Sequence, residues 1–159
     1  MERAVENRGT SFYQEVTGPD ATEEHTVKYM LLMQFSLKTA DFPPIETWTA
    51  QEIQAHIAFM GETNAKLAAA GEFVQAEGLA MPDQAKIVRS GHNGEPVVTE
   101  GPFPETKEFL AGWWIVDCET PERALKIAAE ISAAPGPGGT PLNMPIEVRA
   151  VMSGPSEEL

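Results

Sequence analysis

The chain has 159 residues, 42% of them apolar, a length that fits one domain. Its 24 acidic and 11 basic residues give a formal net charge of −13, which argues against a nucleic-acid partner because phosphate binding needs clustered Lys and Arg. The single cysteine, Cys118, is typical of a reducing compartment, and no stretch reaches the ~18 apolar residues of a membrane span, so we expect a cytoplasmic protein without a membrane partner.

Three regions follow one another along the chain. Residues 1–26 are acidic with few apolar anchors, and we interpret them as a flexible or draped N-terminal extension. Residues 27–152 form the predicted domain, and residues 153–159 a C-terminal tail. The domain begins with an apolar run at 27–35 that is typical of a buried central strand.

Two helices and five further strands are predicted after that run. Thr49 and Glu52 have the spacing of a capping box and start a helix that ends at Gly71. Thr120 and Pro121 start the second helix. The buried stripe of the first helix is predicted at Ile53, Ile57, Met60, Asn64 and Leu67. Strands are predicted at 73–76, 86–89, 96–99, 110–117 and 146–150, with Asn93-Gly94 turning a hairpin between the second and third of these.

This order, without the inserted hairpin, is β-α-β-β-α-β, the ferredoxin-like arrangement of the α+β class. Both helices must then cover one face of an antiparallel sheet. The other face needs a cover as well, and a second copy of the chain could supply it. We therefore expect a homodimer that packs sheet against sheet.

Several segments resemble the YCII-related proteins of the DGPF type. They are KYMLL at 28–32, AEGL at 76–79, EGPFPETKE at 100–108, LAGWWIVD at 110–117 and IEVR at 146–149. The resemblance covers about residues 27–152, with Glu100 where the DGPF motif has Asp. It implies a ferredoxin-like fold and a dimeric α+β barrel, but no particular activity. Some DGPF-type proteins are thought to accompany alternative sigma factors.

His56 is the strongest candidate for chemistry. The resemblance implies a catalytic His on the first helix and an Asp near its C-terminal end, but residues 68–71 contain no Asp. From the sequence, His56 flanks the apolar stripe and could act as a general base in a cleft or be a hydrogen-bonded structural residue. The spacing of His25, His56 and His92 fits no metal site, and we expect neither metal nor cofactor.

The charged loop at 100–108 and the Trp pair supply the remaining candidates. Glu100 could serve as a second catalytic group, and Glu105 and Lys107 could bind a small polar ligand; alternatively these charges only hydrate the loop. Trp113 and Trp114 are adjacent on a strand, so they point to opposite faces of the sheet. One of them should enter the helix-covered core, while the other faces the second side of the sheet, where it could line a ligand pocket or, as we favour, the dimer interface.

Two hypotheses about function remain open. The first is a cofactor-free lyase or isomerase that moves a proton on a small organic acid or cyclic substrate, with His56 as base. The second is a non-catalytic small-molecule-binding or regulatory domain, which could be linked to transcription. An enclosed His56 within hydrogen-bond reach of a carboxylate would favour catalysis, whereas a His56 held only by main-chain atoms would favour binding.

Overall fold

The computed structural model describes residues 26–36, 38, 40–101 and 108–152. The predictions for residues 1–25 and 153–159, and for Glu105 and Lys107, fall outside these ranges. The helices and strands are β1 Val27–Phe35, α1 Ala50–Ala69, β2 Phe73–Gly78, β3 Lys86–Ser90, β4 Pro96–Glu100, β5 Phe109–Cys118, α2 Pro121–Ser132 and β6 Ile146–Ala150.

The main sheet has four antiparallel strands in the order β2-β5-β1-β6. β1 and β5 are the central pair, and their register places Leu31 opposite Trp114. β3 and β4 form a separate two-stranded hairpin whose strand residues are all exposed. The predicted ferredoxin-like α+β fold with an inserted hairpin is confirmed.

Local sequence signals explain where both helices begin. The Thr49 hydroxyl accepts a hydrogen bond from the Glu52 main-chain N–H at 3.2 Å, and the Glu52 carboxylate accepts one from the Thr49 N–H at 2.8 Å. The predicted capping box is therefore confirmed. Thr120 caps α2 by accepting from the Arg123 N–H at 3.2 Å. No helix among the described residues is long and apolar enough to cross a membrane.

The prediction for the buried stripe of α1 is wrong at one position. Ile57 is 63% exposed, whereas Thr63 and Leu67 are buried and His56 is half-buried. His56 and Ile57 follow Ile53 by three and four residues, so both have helical spacing, but they point about 100° apart and only one of them can face the sheet. α1 docks with the His56 side inward and leaves Ile57 in solvent.

The core lies between the two helices and one face of the sheet. It is formed by Leu67 from α1, four residues of α2 and the inward side chains of β1 and β5, of which Leu31, Val116, Ile127 and Ile131 are almost completely inaccessible to solvent. Along β1 and β5 the alternate residues are only half-buried, and they lie on the opposite face. This second face includes Met30, Leu32, Trp113 and Ile115.

Candidate functional site

A cavity of about 440 Å³ lies between α1, the inward face of the sheet and the segments that lead into α1 and β6. Its volume is within the range of about 300–1,000 Å³ that is usual for small-molecule sites. The wall is mostly apolar. It contains four methionines, Met33, Met60, Met81 and Met144, and five aromatic residues, Phe35, Phe42, Trp48, Phe109 and Trp114.

Aromatic rings form a continuous row along one side of this cavity. Phe109 contacts Phe35 edge to face at 5.1 Å between ring centroids, and Phe35 contacts Phe42 at 5.8 Å. Trp48 then lies between Phe42, at 6.3 Å, and His56, at 5.7 Å, with both contacts edge to face. Edge-to-face contacts at these distances are favourable, so the row joins β5, β1 and the loop before α1 into one wall.

His56 lines the cavity and is held by a main-chain group. Its Nδ1 lies 3.0 Å from the carbonyl oxygen of Pro135. Because a carbonyl oxygen can only accept, Nδ1 must carry the hydrogen and donate it. In the neutral ring Nε2 is then the basic atom with a free lone pair, so the contact with Pro135 fixes the tautomer.

Trp114 and Asn64 provide a second polar contact in the wall. The Trp114 indole Nε1 donates to Asn64 Oδ1 at 3.0 Å, which leaves the Asn64 amide NH₂ as a donor toward the site. We predicted Asn64 only as a stripe residue and not as part of a site. Asn64 is a polar residue that lies eight positions after His56 on the same face of α1, and this pattern could have identified it as part of a site.

The loop after α2 is attached to the first turns of α1 at two points. Besides the contact between His56 and Pro135, Glu52 Oε1 accepts a hydrogen bond from the Gly138 N–H at 2.9 Å. Hydrogen bonds from the main-chain N–H groups of Thr49 and Gly138 lower the pKa of the Glu52 carboxyl. Gly138 has a φ of 66°, which favours glycine at this point of attachment.

Of the other predicted site residues that the structure describes, Trp114 lines the cavity, whereas Trp113 and Glu100 do not. Trp114, on the helix-covered face, lines the cavity, and Trp113 lies on the opposite face of the sheet. Glu100 is not among the lining residues. It ends β4 and forms an exposed ion pair with Lys86, with Nζ and Oε2 2.7 Å apart. Glu105 and Lys107 stay predictions because they lie outside the described residues.

The described part of the chain supplies few polar side chains to this cavity. The lining residues with polar side chains include His56 and Asn64, which are half-buried, and Glu46, which is exposed. Glu77 pairs with Trp113 in the sheet register, so its side chain is directed to the other face and its main chain borders the cavity. No cluster of three or more His, Cys, Asp or Glu suited to a metal occurs among the described residues.

Comparison with known proteins assigns the family. The model of the YCII-related domain matches residues 27–138. The chain is also 31% identical over 87 residues to an uncharacterised protein of Rhizobium meliloti (strain 1021), an alignment that covers 55% of this chain and 69% of that protein. The DGPF subtype stays a prediction. The chain belongs to the YCII-related family.

Proposed function

We propose that the protein binds a small cyclic, largely apolar molecule in the cavity between α1 and the sheet. The observation that carries this proposal is the composition of the wall, which combines nine Met and aromatic residues with a few polar groups, including His56 and Asn64. His56 is held by a main-chain carbonyl and not by a carboxylate. A His56 held only by main-chain atoms was the arrangement expected for a binding or regulatory domain, so this contact favours such a domain over an enzyme.

A thermal-shift screen with small cyclic compounds, followed by calorimetric titration of the hits, tests this function. Ala76 faces the cavity beside Trp114, so Ala76→Leu should occupy part of the space and weaken binding of a hit at least about tenfold. Ala65→Leu, on the exposed side of α1, is the matched control and should leave binding unchanged. An empty screen, or hits whose affinity Ala76→Leu does not change, would refute binding in this cavity.

Proton transfer is the second candidate function, and one specific observation favours it. The hydrogen bond from Nδ1 of His56 to Pro135 orients the ring and leaves Nε2 as a base in a cavity with apolar walls. A bound cyclic substrate with an acidic C–H group could lose its proton to Nε2 and regain it at another carbon. Such a reaction would be an isomerisation; if instead a leaving group departs from the neighbouring carbon as the proton is lost to Nε2, the reaction is an elimination, and neither reaction would need a cofactor.

Deuterium exchange separates the two candidates. Each hit is incubated with the protein in D₂O, and incorporation of deuterium at carbon is followed by mass spectrometry. In His56→Asn the side-chain amide can still donate to Pro135, but the base is gone. Exchange that is catalysed by the wild type and lost in His56→Asn would assign the base to His56. Exchange that is equal in both proteins would exclude this role.

We also propose that the chain forms a homodimer through the second face of the sheet. Met30, Leu32, Trp113 and Ile115 lie side by side there, and β6 adds Glu147 and Arg149 beside them. Monomers rarely leave an apolar face of this kind uncovered. Light scattering should give twice the 17.3 kDa of the chain, and Leu32→Glu should halve that mass. Val88→Glu on the exposed hairpin is the control, and a wild-type monomer would refute the dimer.

A further inference from the structure

We infer that the cavity selects an aromatic ligand bearing a protonated amine and discriminates against the corresponding carboxylate. This inference rests on the proposed binding function and concerns the charge of the ligand. The first hypothesis drawn from the sequence included a small organic acid as substrate, whereas this inference specifies a positively charged ligand. Its basis is the balance of hydrogen-bond donors and acceptors among the polar groups of the wall.

The charged residues that the described part of the chain contributes to the lining are acidic. Among the described lining residues two are acidic, Glu46 and Glu77, both of them exposed, and none is Lys or Arg. Sites that bind carboxylates usually supply an arginine, a lysine or several converging N–H groups. A carboxylate moved from water into this cavity would lose its hydration without gaining a cation, which is costly. The net charge of −13 adds a long-range repulsion of anions.

The hydrogen-bonding groups of the wall are mainly acceptors. With Nδ1 bonded to Pro135, neutral His56 offers the Nε2 lone pair, and Glu46, an exposed lining residue, carries a carboxylate that can only accept. The Asn64 amide is the one side-chain donor that remains in the described wall, because the Trp114 N–H is already bonded to Asn64 Oδ1. An ammonium group has three donors and no acceptor, so it matches this set better than an oxygen anion does.

The aromatic rings of the wall also favour a positively charged ligand. The face of an aromatic ring carries a negative potential, so it attracts ammonium groups and repels anions. Five aromatic residues border the cavity, and Trp48, the ring in contact with His56, follows Glu46 by two residues. The apolar part of the ligand would lie among the methionines, whose flexible side chains adapt to planar rings.

A matched series of indoles tests the inference by isothermal titration calorimetry. Tryptamine, indole-3-ethanol and indole-3-acetate share one ring system and differ in the charge of the side chain. The titrations are run near pH 8, where a primary alkyl amine such as that of tryptamine is protonated. We expect tryptamine to bind at least about fivefold tighter than indole-3-acetate, the size of a modest cation–π or ion-pair preference. A smaller ratio, or tighter binding of the acetate, overturns the inference.

Single substitutions test which residue causes the preference for the protonated amine. Glu46→Gln should lower the affinity for tryptamine at least about threefold and leave that for indole-3-ethanol unchanged. Glu62→Gln, on the exposed side of α1, is the control and should change neither. An unchanged affinity for tryptamine in Glu46→Gln overturns the role of Glu46. Tight binding of indole-3-acetate that is lost in Lys107→Gln would identify an anion site and overturn the inference as well.

The series also separates this inference from the function on which it rests. If indole-3-ethanol binds and Ala76→Leu weakens it, the cavity is a binding site whatever the order of the charged compounds. A reversed order with that result overturns only the charge preference. If none of the three compounds binds, both the charge preference and the proposal of an aromatic ligand are refuted.

Discussion

The indole N–H of Trp114 and the amide oxygen of Asn64 are 3.0 Å apart and connect β5 to α1 within the wall of the cavity. Trp114 is 7% exposed, so its N–H has little access to water as an alternative partner. Asn64→Leu should lower the free energy of unfolding by about 1–3 kcal/mol, the cost of a buried donor left without an acceptor. Urea unfolding followed by tryptophan fluorescence measures the change.

A double-mutant cycle isolates this contact from other effects of the substitution. Trp114→Phe removes the donor and keeps an aromatic ring in the core. In that background Asn64→Leu should cost less than it does in the wild type, because no donor is left unsatisfied. Equal costs in the two backgrounds would mean that the hydrogen bond contributes nothing to stability.

The elements of the fold could be predicted from the sequence because each has a strong local signal. Thr49 with Glu52 and Thr120 with Pro121 start the helices, and the apolar runs of β1 and β5 mark the centre of the sheet. The hairpin was predicted too, but only Gly94 of Asn93-Gly94 has a positive φ, because a five-residue segment, 91–95, joins β3 and β4. Short-range chemistry explains these successes.

The site was harder to predict because long-range contacts build it. His56 could be identified from the sequence as a candidate general base. Its contact with Pro135, 79 residues away, could not, because that contact depends on how the loop after α2 packs on α1. Trp48 and Phe42 occur in a proline-containing loop that has no periodicity. Glu100 lies in the charged motif that we identified in the sequence, but the motif did not show that its carboxylate pairs with Lys86 across the hairpin.

The ion pair between Glu72 and Arg123 should make stability depend on acidic pH. Arg123 donates from Nε and an Nη atom to the two carboxylate oxygens at 2.8 and 2.7 Å, and these hydrogen bonds lower the pKa of Glu72. A lowered folded-state pKa stabilises the protein above the unfolded pKa of about 4.3, and this contribution disappears as the pH falls through the folded pKa. Glu72→Gln should therefore cost about 1 kcal/mol at pH 7 and clearly less near pH 3.

Urea unfolding of the wild type and of Glu72→Gln at both pH values measures this difference. Glu62→Gln, which removes an exposed carboxylate from α1, is the control and should show little change at either pH. A cost of Glu72→Gln that is as large near pH 3 as at pH 7 would contradict the assignment to ionised Glu72.

Glu52 has two roles that can be separated, since it belongs to the capping box and also accepts from Gly138. Thr49→Ala should cost about 0.5–2 kcal/mol of stability, the usual value of an N-cap, while the hydrogen bond to Gly138 remains. Glu52→Ala should also expose the Gly138 amide. Hydrogen exchange measured by NMR should therefore show protection of Gly138 in Thr49→Ala and its loss in Glu52→Ala. Equal protection in both variants would disprove the attachment of the loop through Glu52.

Cys118 should be unreactive in the folded protein although it is the chain's one thiol. It is 1% exposed, and burial, followed by the nearby Glu72 carboxylate, raises its pKa to about 11. The thiolate is the reactive form, so little of it exists at pH 8 and reagents cannot reach it. Ellman's reagent should label the native protein only at the rate at which the protein unfolds, and should label about one thiol per chain at once in urea. Rapid stoichiometric labelling of the native protein would show instead that Cys118 is accessible.

The raised pKa of Cys118 also predicts lower stability at alkaline pH. The thiol ionises at higher pH in the folded form than in the unfolded one, so raising the pH from about 8.5 should lower the free energy of unfolding, and Cys118→Ala should remove the part of this decrease that is due to the thiol.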